Sequence, residues 1–173
     1  AEVIGEEARV VISPTEPTTG EEVWIQTSSN LLKPTSKSAT SGDYTFSNNK
    51  YKLTSGSTIY LIAKIKVGKQ YTLSYKNNNG FASIRANDYN NGGSWIEYGR
   101  ATTTNGAITF TANTDTVIIQ FQGGTANSST IEEVMLAQSS TEIPYEPYLD
   151  KKIYTKNDNG GYEEFYNEEE LNR

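Results

Sequence analysis

The chain contains no histidine and no cysteine, and these two absences exclude much of enzyme chemistry. Without imidazole or thiol groups, one subunit cannot assemble a Ser–His or Cys–His nucleophilic centre, or a zinc site held by those ligands. The absence of cysteine also excludes a disulfide framework. No G-x-x-x-x-G-K-[ST] sequence occurs, so a phosphate-cradling loop of that type is not predicted.

Net charge and long apolar runs are also scarce in the middle of the chain. The formal charge of −6 comes from the two ends, since residues 30–149 hold eight acidic and ten basic side chains. A nearly neutral surface lacks the basic stripe that nucleic acids require, so we expect no nucleic-acid partner and favour an uncharged ligand. No segment is apolar enough for membrane insertion, and none resembles a signal peptide.

Threonine, tyrosine, glycine and asparagine are plentiful, and they alternate with short apolar runs. Residues 59–67 begin as an apolar run, whereas 107–112 and 116–122 alternate cleanly between apolar and polar positions. Turn residues such as Asn77-Asn78-Asn79-Gly80 separate these segments. The pattern predicts an all-β fold, an antiparallel two-sheet β-sandwich with short β extensions at both ends.

The same pattern divides the chain into three parts. Residues 1–29 are predicted to be a β connector, 30–149 the sandwich module, and 150–173 a β-hairpin extension with a short helix after Asn167. The two short strands of the connector cannot be stable alone. They must therefore join the main sheet, pack on the C-terminal segment, or pair with another subunit.

Residues 87–100, NDYNNGGSWIEYGR, are predicted to form a ligand-binding loop. A sugar ring offers an apolar C–H face and a rim of hydroxyls, which call for a flat aromatic side chain and fixed polar groups. The predicted binding residues are Trp95 as the stacking platform, Tyr89 or Tyr98 as a second wall, and Asp88, Asn90, Glu97 and Arg100 as hydroxyl partners. In the alternative interpretation, Trp95 is a core residue on a strand with Ile96 pointing outward, and the asparagines only make turns.

Asp88 and Glu97 also raise the question of catalysis. Glycosidases act through two carboxyl groups that flank the scissile bond. Two acidic residues near a tryptophan occur often by chance, so the sequence predicts a protein that is not an enzyme.

Three motifs together resemble one known family. Residues 130–148, TIEEVMLAQSSTEIPYEPY, combine an alternating strand with an extended hook that holds two prolines. With Asn30-Leu31-Leu32 and the YTLSY of residues 71–75, they resemble the carbohydrate-binding-module-like jelly rolls of phage tail, baseplate and fibre proteins. These phages infect Gram-positive bacteria, and the proteins include receptor-binding proteins.

The resemblance implies a function and a setting. It implies a jelly roll in the virion tail or baseplate that binds host cell-surface polysaccharide during adsorption, with other tail proteins and a homotrimer as possible partners. It also implies a structural calcium, for which Asp43 and Glu133 are candidate ligands; no other cofactor is expected. Two alternatives remain open: a structural spacer of the tail fibre, and a sugar-binding appendage of a bacterial surface protein or wall hydrolase.

Overall fold

A computed structural model describes residues 10–18, 20–38, 40–54, 57–89, 95–125 and 128–167, which hold thirteen β-strands. No helix in this part of the chain has the length and apolar character needed to cross a membrane. The chain forms two compact units, one from residues 29–148 and the other from residues 1–28 together with 149–173.

Two antiparallel sheets make up the larger unit. The four-stranded sheet has the order β5 (Ile59–Lys64), β10 (Thr116–Gly123), β7 (Phe81–Asp88) and β8 (Ile96–Ala101). The five-stranded sheet has the order β3 (Tyr44–Ser47), β4 (Lys50–Leu53), β11 (Ser129–Ala137), β6 (Gln70–Asn79) and β9 (Gly106–Thr111). The all-β fold with an antiparallel two-sheet sandwich is therefore confirmed.

Alternate residues of both sheets meet in one hydrophobic core. Phe121 of β10 lies near its centre, with its ring 5.3 Å from that of Tyr51 in β4 and 5.7 Å from that of Phe81 in β7. All three side chains are buried. Burying an aromatic or large aliphatic side chain stabilises a fold by roughly 1.5–3 kcal/mol, so this apolar alternation is what holds the two sheets together.

The closing hook, Ile143–Tyr148, is joined to the start of the module by one buried side chain. The Asn30 Oδ1 atom accepts hydrogen bonds from the backbone amides of Leu32 at 3.0 Å and Leu136 at 3.2 Å. Its Nδ2 donates to the carbonyl oxygen of Glu146 at 3.0 Å. Asn30 thus links the first residues of the module, strand β11 and the hook.

The smaller unit contains one sheet, with strands from both ends of the chain. Its order is β1 (Val10–Ser13), β2 (Val23–Gln26), β12 (Lys152–Lys156) and β13 (Tyr162–Asn167), and β1 pairs with β2 in parallel. The buried Trp24 stacks on Tyr154 at 4.5 Å. Of the three arrangements expected for the connector, the structure shows packing on the C-terminal segment. The predicted helix after Asn167 lies outside the described residues.

Candidate functional site

The prediction that residues 87–100 form one loop is wrong, because both ends of this segment belong to strands. Strand β7 continues through Asp88, and residues 96–101 form β8, which pairs with β7 along the edge of the four-stranded sheet. The pairing shifts by one residue between Ala86 and Asn87, so that Tyr98 is an extra residue in β8. A bulge of this kind changes which side chains of the strand share a face.

Two rows of side chains cross the face of the four-stranded sheet that points away from the core, here called the outer face. In β7, Ile84 and Ala86 belong to the core. Arg85 lies between them and Asn87 follows Ala86, so both of these side chains point outward. The strand registers align the first row as Tyr60, Gln120, Arg85 and Arg100. They align the second row as Ile62, Ile118, Asn87 and Glu97.

Hydrogen bonds fix the direction of the polar groups in the middle of this face. Asn87 donates from Nδ2 to the Gln120 Oε1 atom at 3.0 Å. Arg85 donates from Nε to the Ser83 hydroxyl at 3.0 Å, and one of its terminal nitrogens donates to the Gln122 side-chain oxygen. These planar amide and guanidinium groups are therefore held in place, with Asn87 buried and the Arg85 side chain 23% exposed.

Glu97 and Arg100 form a two-point ion pair at the β8 edge. Arg100 donates from Nε and from a terminal nitrogen to the two Glu97 carboxylate oxygens, at 2.6 and 2.9 Å. These hydrogen bonds, with the charges of Arg100 and Arg85, lower the pKa of Glu97 below its usual value despite some burial. The pair is therefore complete at neutral pH and is lost only as the pH falls through the lowered pKa.

An aromatic pair lies over the same face. Trp95, which directly precedes β8, is 36% exposed, and its ring meets Tyr60 edge-on at 5.1 Å. Tyr60 belongs to β5, the edge strand opposite β8. The contact between the two rings therefore spans the outer face from one edge of the sheet to the other. Ile118, in the middle of the face, has no exposed surface.

Other predicted binding residues lie on the core side and hold the turn at residues 113–115. Tyr98 stacks on Phe110 at 4.5 Å, and its hydroxyl accepts a hydrogen bond from the Asn113 amide at 2.8 Å. The buried Asp88 accepts from the Thr114 hydroxyl at 2.8 Å. Both side chains therefore have structural partners of their own.

The structure thus brings Trp95, Glu97 and Arg100 to the outer face and does not bring Tyr98 and Asp88 there. Tyr89 is half-buried, and its backbone amide donates to the Thr116 carbonyl oxygen at 3.3 Å. The predicted residue Asn90 lies outside the described residues.

Replacing Tyr98 with phenylalanine tests this division of the predicted site. The variant keeps the ring on Phe110 and loses the hydrogen bond to Asn113, so we expect the free energy of unfolding to fall by about 1 kcal/mol. Because the hydroxyl faces the turn, we expect no change in ligand binding. Urea unfolding measures the first effect. Unchanged stability with weaker binding would instead assign Tyr98 to the ligand wall.

Five residues of the outer face were not predicted as binding residues from the sequence, and they share one sequence feature. Each is a large polar side chain at an alternate position of an otherwise apolar strand, as in IYLIAK, FASIRAND and TVIIQFQ. Such positions face away from the core, because successive side chains of a strand point to opposite faces. The five are Tyr60, Arg85, Asn87, Gln120 and Gln122.

The calcium candidates Asp43 and Glu133 each lie beside a different lysine. Asp43 lies 3.8 Å from the Lys37 ammonium group, and Glu133 lies 3.4 Å from that of Lys76. Within the described ranges, no group of three His, Cys, Asp or Glu side chains could hold a metal ion. Calcium takes six to eight oxygen ligands, including backbone carbonyls and water, so a structural calcium stays a prediction.

A cleft of about 240 Å³ lies between the hook and the five-stranded sheet. It is lined in part by Lys76, Glu133 and Tyr145. Three of its polar side chains are engaged within the fold, since Lys76 pairs with Glu133 and the Tyr145 hydroxyl donates to the Asn49 side-chain oxygen at 3.2 Å. The outer face of the four-stranded sheet adds a partly exposed tryptophan to its fixed polar groups, so it is the stronger candidate site.

Comparison with known proteins adds a likeness of fold. No protein-family model matches the chain, and no curated protein matches it. The chain is similar to a solved structure described as "CBM4 structure and function", with 18% sequence identity and a TM-score of 0.45. The match covers 70% of this chain and 90% of that one. At this identity the likeness concerns the arrangement of strands and says nothing of ligands.

Proposed function

We propose that this chain is a non-catalytic module that binds a carbohydrate on the outer face of the four-stranded sheet. The observation that carries the proposal is the presence, on one face, of the Trp95–Tyr60 pair and of polar groups held in direction by hydrogen bonds. A sugar ring packs its apolar C–H face on an aromatic ring while its hydroxyls exchange hydrogen bonds with planar polar groups. Both requirements are met by residues of four adjacent strands and the segment before β8.

The positions of the two candidate acids support binding without catalysis. Asp88 lies on the core side and accepts a hydrogen bond from Thr114, whereas Glu97 lies on the outer face and binds Arg100. A glycosidase requires both carboxyl groups at the same sugar bond. Two acids on opposite sides of one sheet do not meet that requirement.

We further propose that the ligand is a host cell-surface polysaccharide and that the module acts in a phage tail or baseplate during adsorption. The support for this setting is the order of the sequence motifs at residues 30–32, 71–75 and 130–148. A single site of this kind binds weakly, and several copies acting together would give useful attachment. A homotrimer within the virion, held by other tail proteins, would supply those copies.

Replacing Trp95 with alanine tests the proposed site. We expect binding of the purified chain to extracted wall polysaccharide of Gram-positive strains to weaken about tenfold or more, because the aromatic pair is lost. Since Trp95 is partly exposed and outside the core, the fold should be kept, as circular dichroism would show. The matched control is Phe165→Ala, which removes an exposed aromatic ring from the smaller unit and should leave binding unchanged.

Three outcomes would contradict the proposal. Full binding by a folded Trp95→Ala variant would mean that the site lies elsewhere. No binding of the wild-type chain to any wall polysaccharide would favour a structural spacer. Binding restricted to glycans unrelated to phage hosts would favour the appendage of a bacterial surface protein.

A further inference from the structure

The charges on the outer face do not balance. Its basic side chains are Arg85, Arg100 and Lys64, and Glu97 is the acidic residue of the two aligned rows. Lys64 donates to the Thr116 hydroxyl at 3.2 Å, and that hydroxyl also contacts Asp115 at 3.0 Å, so Lys64 has a carboxylate nearby. The segment 90–94, NNGGS, adds no ionisable side chain. One positive charge on this face is left over.

That excess charge belongs to Arg85. Its side chain is only 23% exposed, and its hydrogen-bond partners, Ser83 and Gln122, are both neutral. Its distance to the nearest Glu97 oxygen is 3.9 Å. Both oxygens of Glu97 already accept shorter hydrogen bonds from Arg100, so one carboxylate serves two guanidinium groups.

We infer that the carbohydrate bound on this face carries an anionic group, a carboxylate or a phosphate, that pairs with Arg85. This inference rests on the proposed function and names the class of its ligand. A guanidinium group that is largely removed from water and only partly neutralised gains most from an anionic oxygen pair, which it can bind in two-point geometry. The near-neutral charge of residues 30–149 as a whole predicts an uncharged ligand, but the local charge decides what binds.

The test compares three ligands of similar length by calorimetry. They are a neutral glucan oligosaccharide, an oligogalacturonate that carries carboxylates, and a phosphodiester-linked polyol polymer. We expect at least one anionic ligand to bind about tenfold or more tightly than the neutral one, with the preference shrinking at high salt. Which anionic ligand binds more tightly distinguishes carboxylate from phosphate.

Two variants that change the net charge of this face in opposite directions make the test specific to it. Arg85→Gln should remove the preference for anionic ligands, whereas Glu97→Gln, which increases the excess positive charge, should strengthen anionic binding severalfold. The matched control is Lys52→Gln, which removes a positive charge from an exposed position of the five-stranded sheet and should change nothing.

Two results separate this inference from the proposed function. Equal binding of the neutral and anionic oligosaccharides, unaffected by Arg85→Gln, would overturn the inference and leave carbohydrate binding intact. Binding of none of these ligands, nor of any wall polysaccharide, would overturn both.

Discussion

Replacing Asn30 with aspartate is expected to lower the free energy of unfolding by about 3–4 kcal/mol at neutral pH. The side chain is buried, and its Nδ2 atom donates to the carbonyl oxygens of Glu146 at 3.0 Å and Val134 at 3.4 Å. A carboxylate would place a second negative oxygen against these two acceptors, in a site with little water. The link between the start of the module and the hook would be broken.

The loss of stability should depend on pH in a defined direction. Burial beside two carbonyl oxygens raises the pKa of the introduced carboxyl group in the folded state. The folded state then binds more protons than the unfolded state, so stability falls as pH rises through neutrality and recovers towards pH 4. Protonation gives the introduced carboxyl group an O–H that can donate a hydrogen bond to the Glu146 carbonyl oxygen.

Urea unfolding of wild type and variant at pH 7 and pH 4 measures both effects. The matched control is Asn79→Ala, which alters an exposed asparagine at the end of β6 and should change stability by less than about 0.5 kcal/mol. A loss at Asn30 as small as that of the control would mean that its hydrogen bonds do not hold the hook.

Replacing Gly124 with alanine is expected to destabilise the larger unit by about 3 kcal/mol. A Cβ atom at this position would overlap the backbone carbonyl oxygen of Gly80 in the β6–β7 turn. Backbone atoms cannot move aside as a flexible side chain can. Gly80 itself has a φ of 96°, so this turn also has little freedom to shift.

The control for that variant is Gly20→Ala. Its added Cβ atom would meet only the Lys156 ammonium nitrogen, at 3.4 Å, which can move away. Thermal unfolding should therefore show a lower melting temperature for Gly124→Ala and almost none of that change for Gly20→Ala. Equal stability of the two variants would mean that the β6–β7 turn is free to relax.

Strand β8 shows why part of the site escaped prediction. Its sequence, IEYGRA, has exposed residues on both faces and no regular apolar alternation. An edge strand of this kind forms because β7 offers unpaired backbone groups, and the paired residues lie 8 to 17 positions apart in the chain, from Asp88 with Ile96 to Ile84 with Ala101. Strands such as β9, whose alternation reflects burial on one face, were predictable because the signal is in their own residues.

The terminal sheet is another feature without a local signal. Its strands could be predicted as short β segments, but the parallel pairing of β1 with β2 and the pairing of β2 with β12 join distant parts of the chain. Hydrogen bonds between strands are made by the backbone, which is the same for nearly every residue. Pairing partners therefore cannot be derived from composition and alternation alone.

The sequence by itself determined that the chain is all-β, that its core is built from alternating apolar positions, and that histidine and cysteine chemistry is absent. Tertiary structure decided which polar side chains act together. One extra residue in β8, Tyr98, places Glu97 and Arg100 on the same face, although strict alternation would separate them. Alternation is a property of a single strand, whereas a bulge, a cross-sheet aromatic contact and a local charge excess arise only when strands meet.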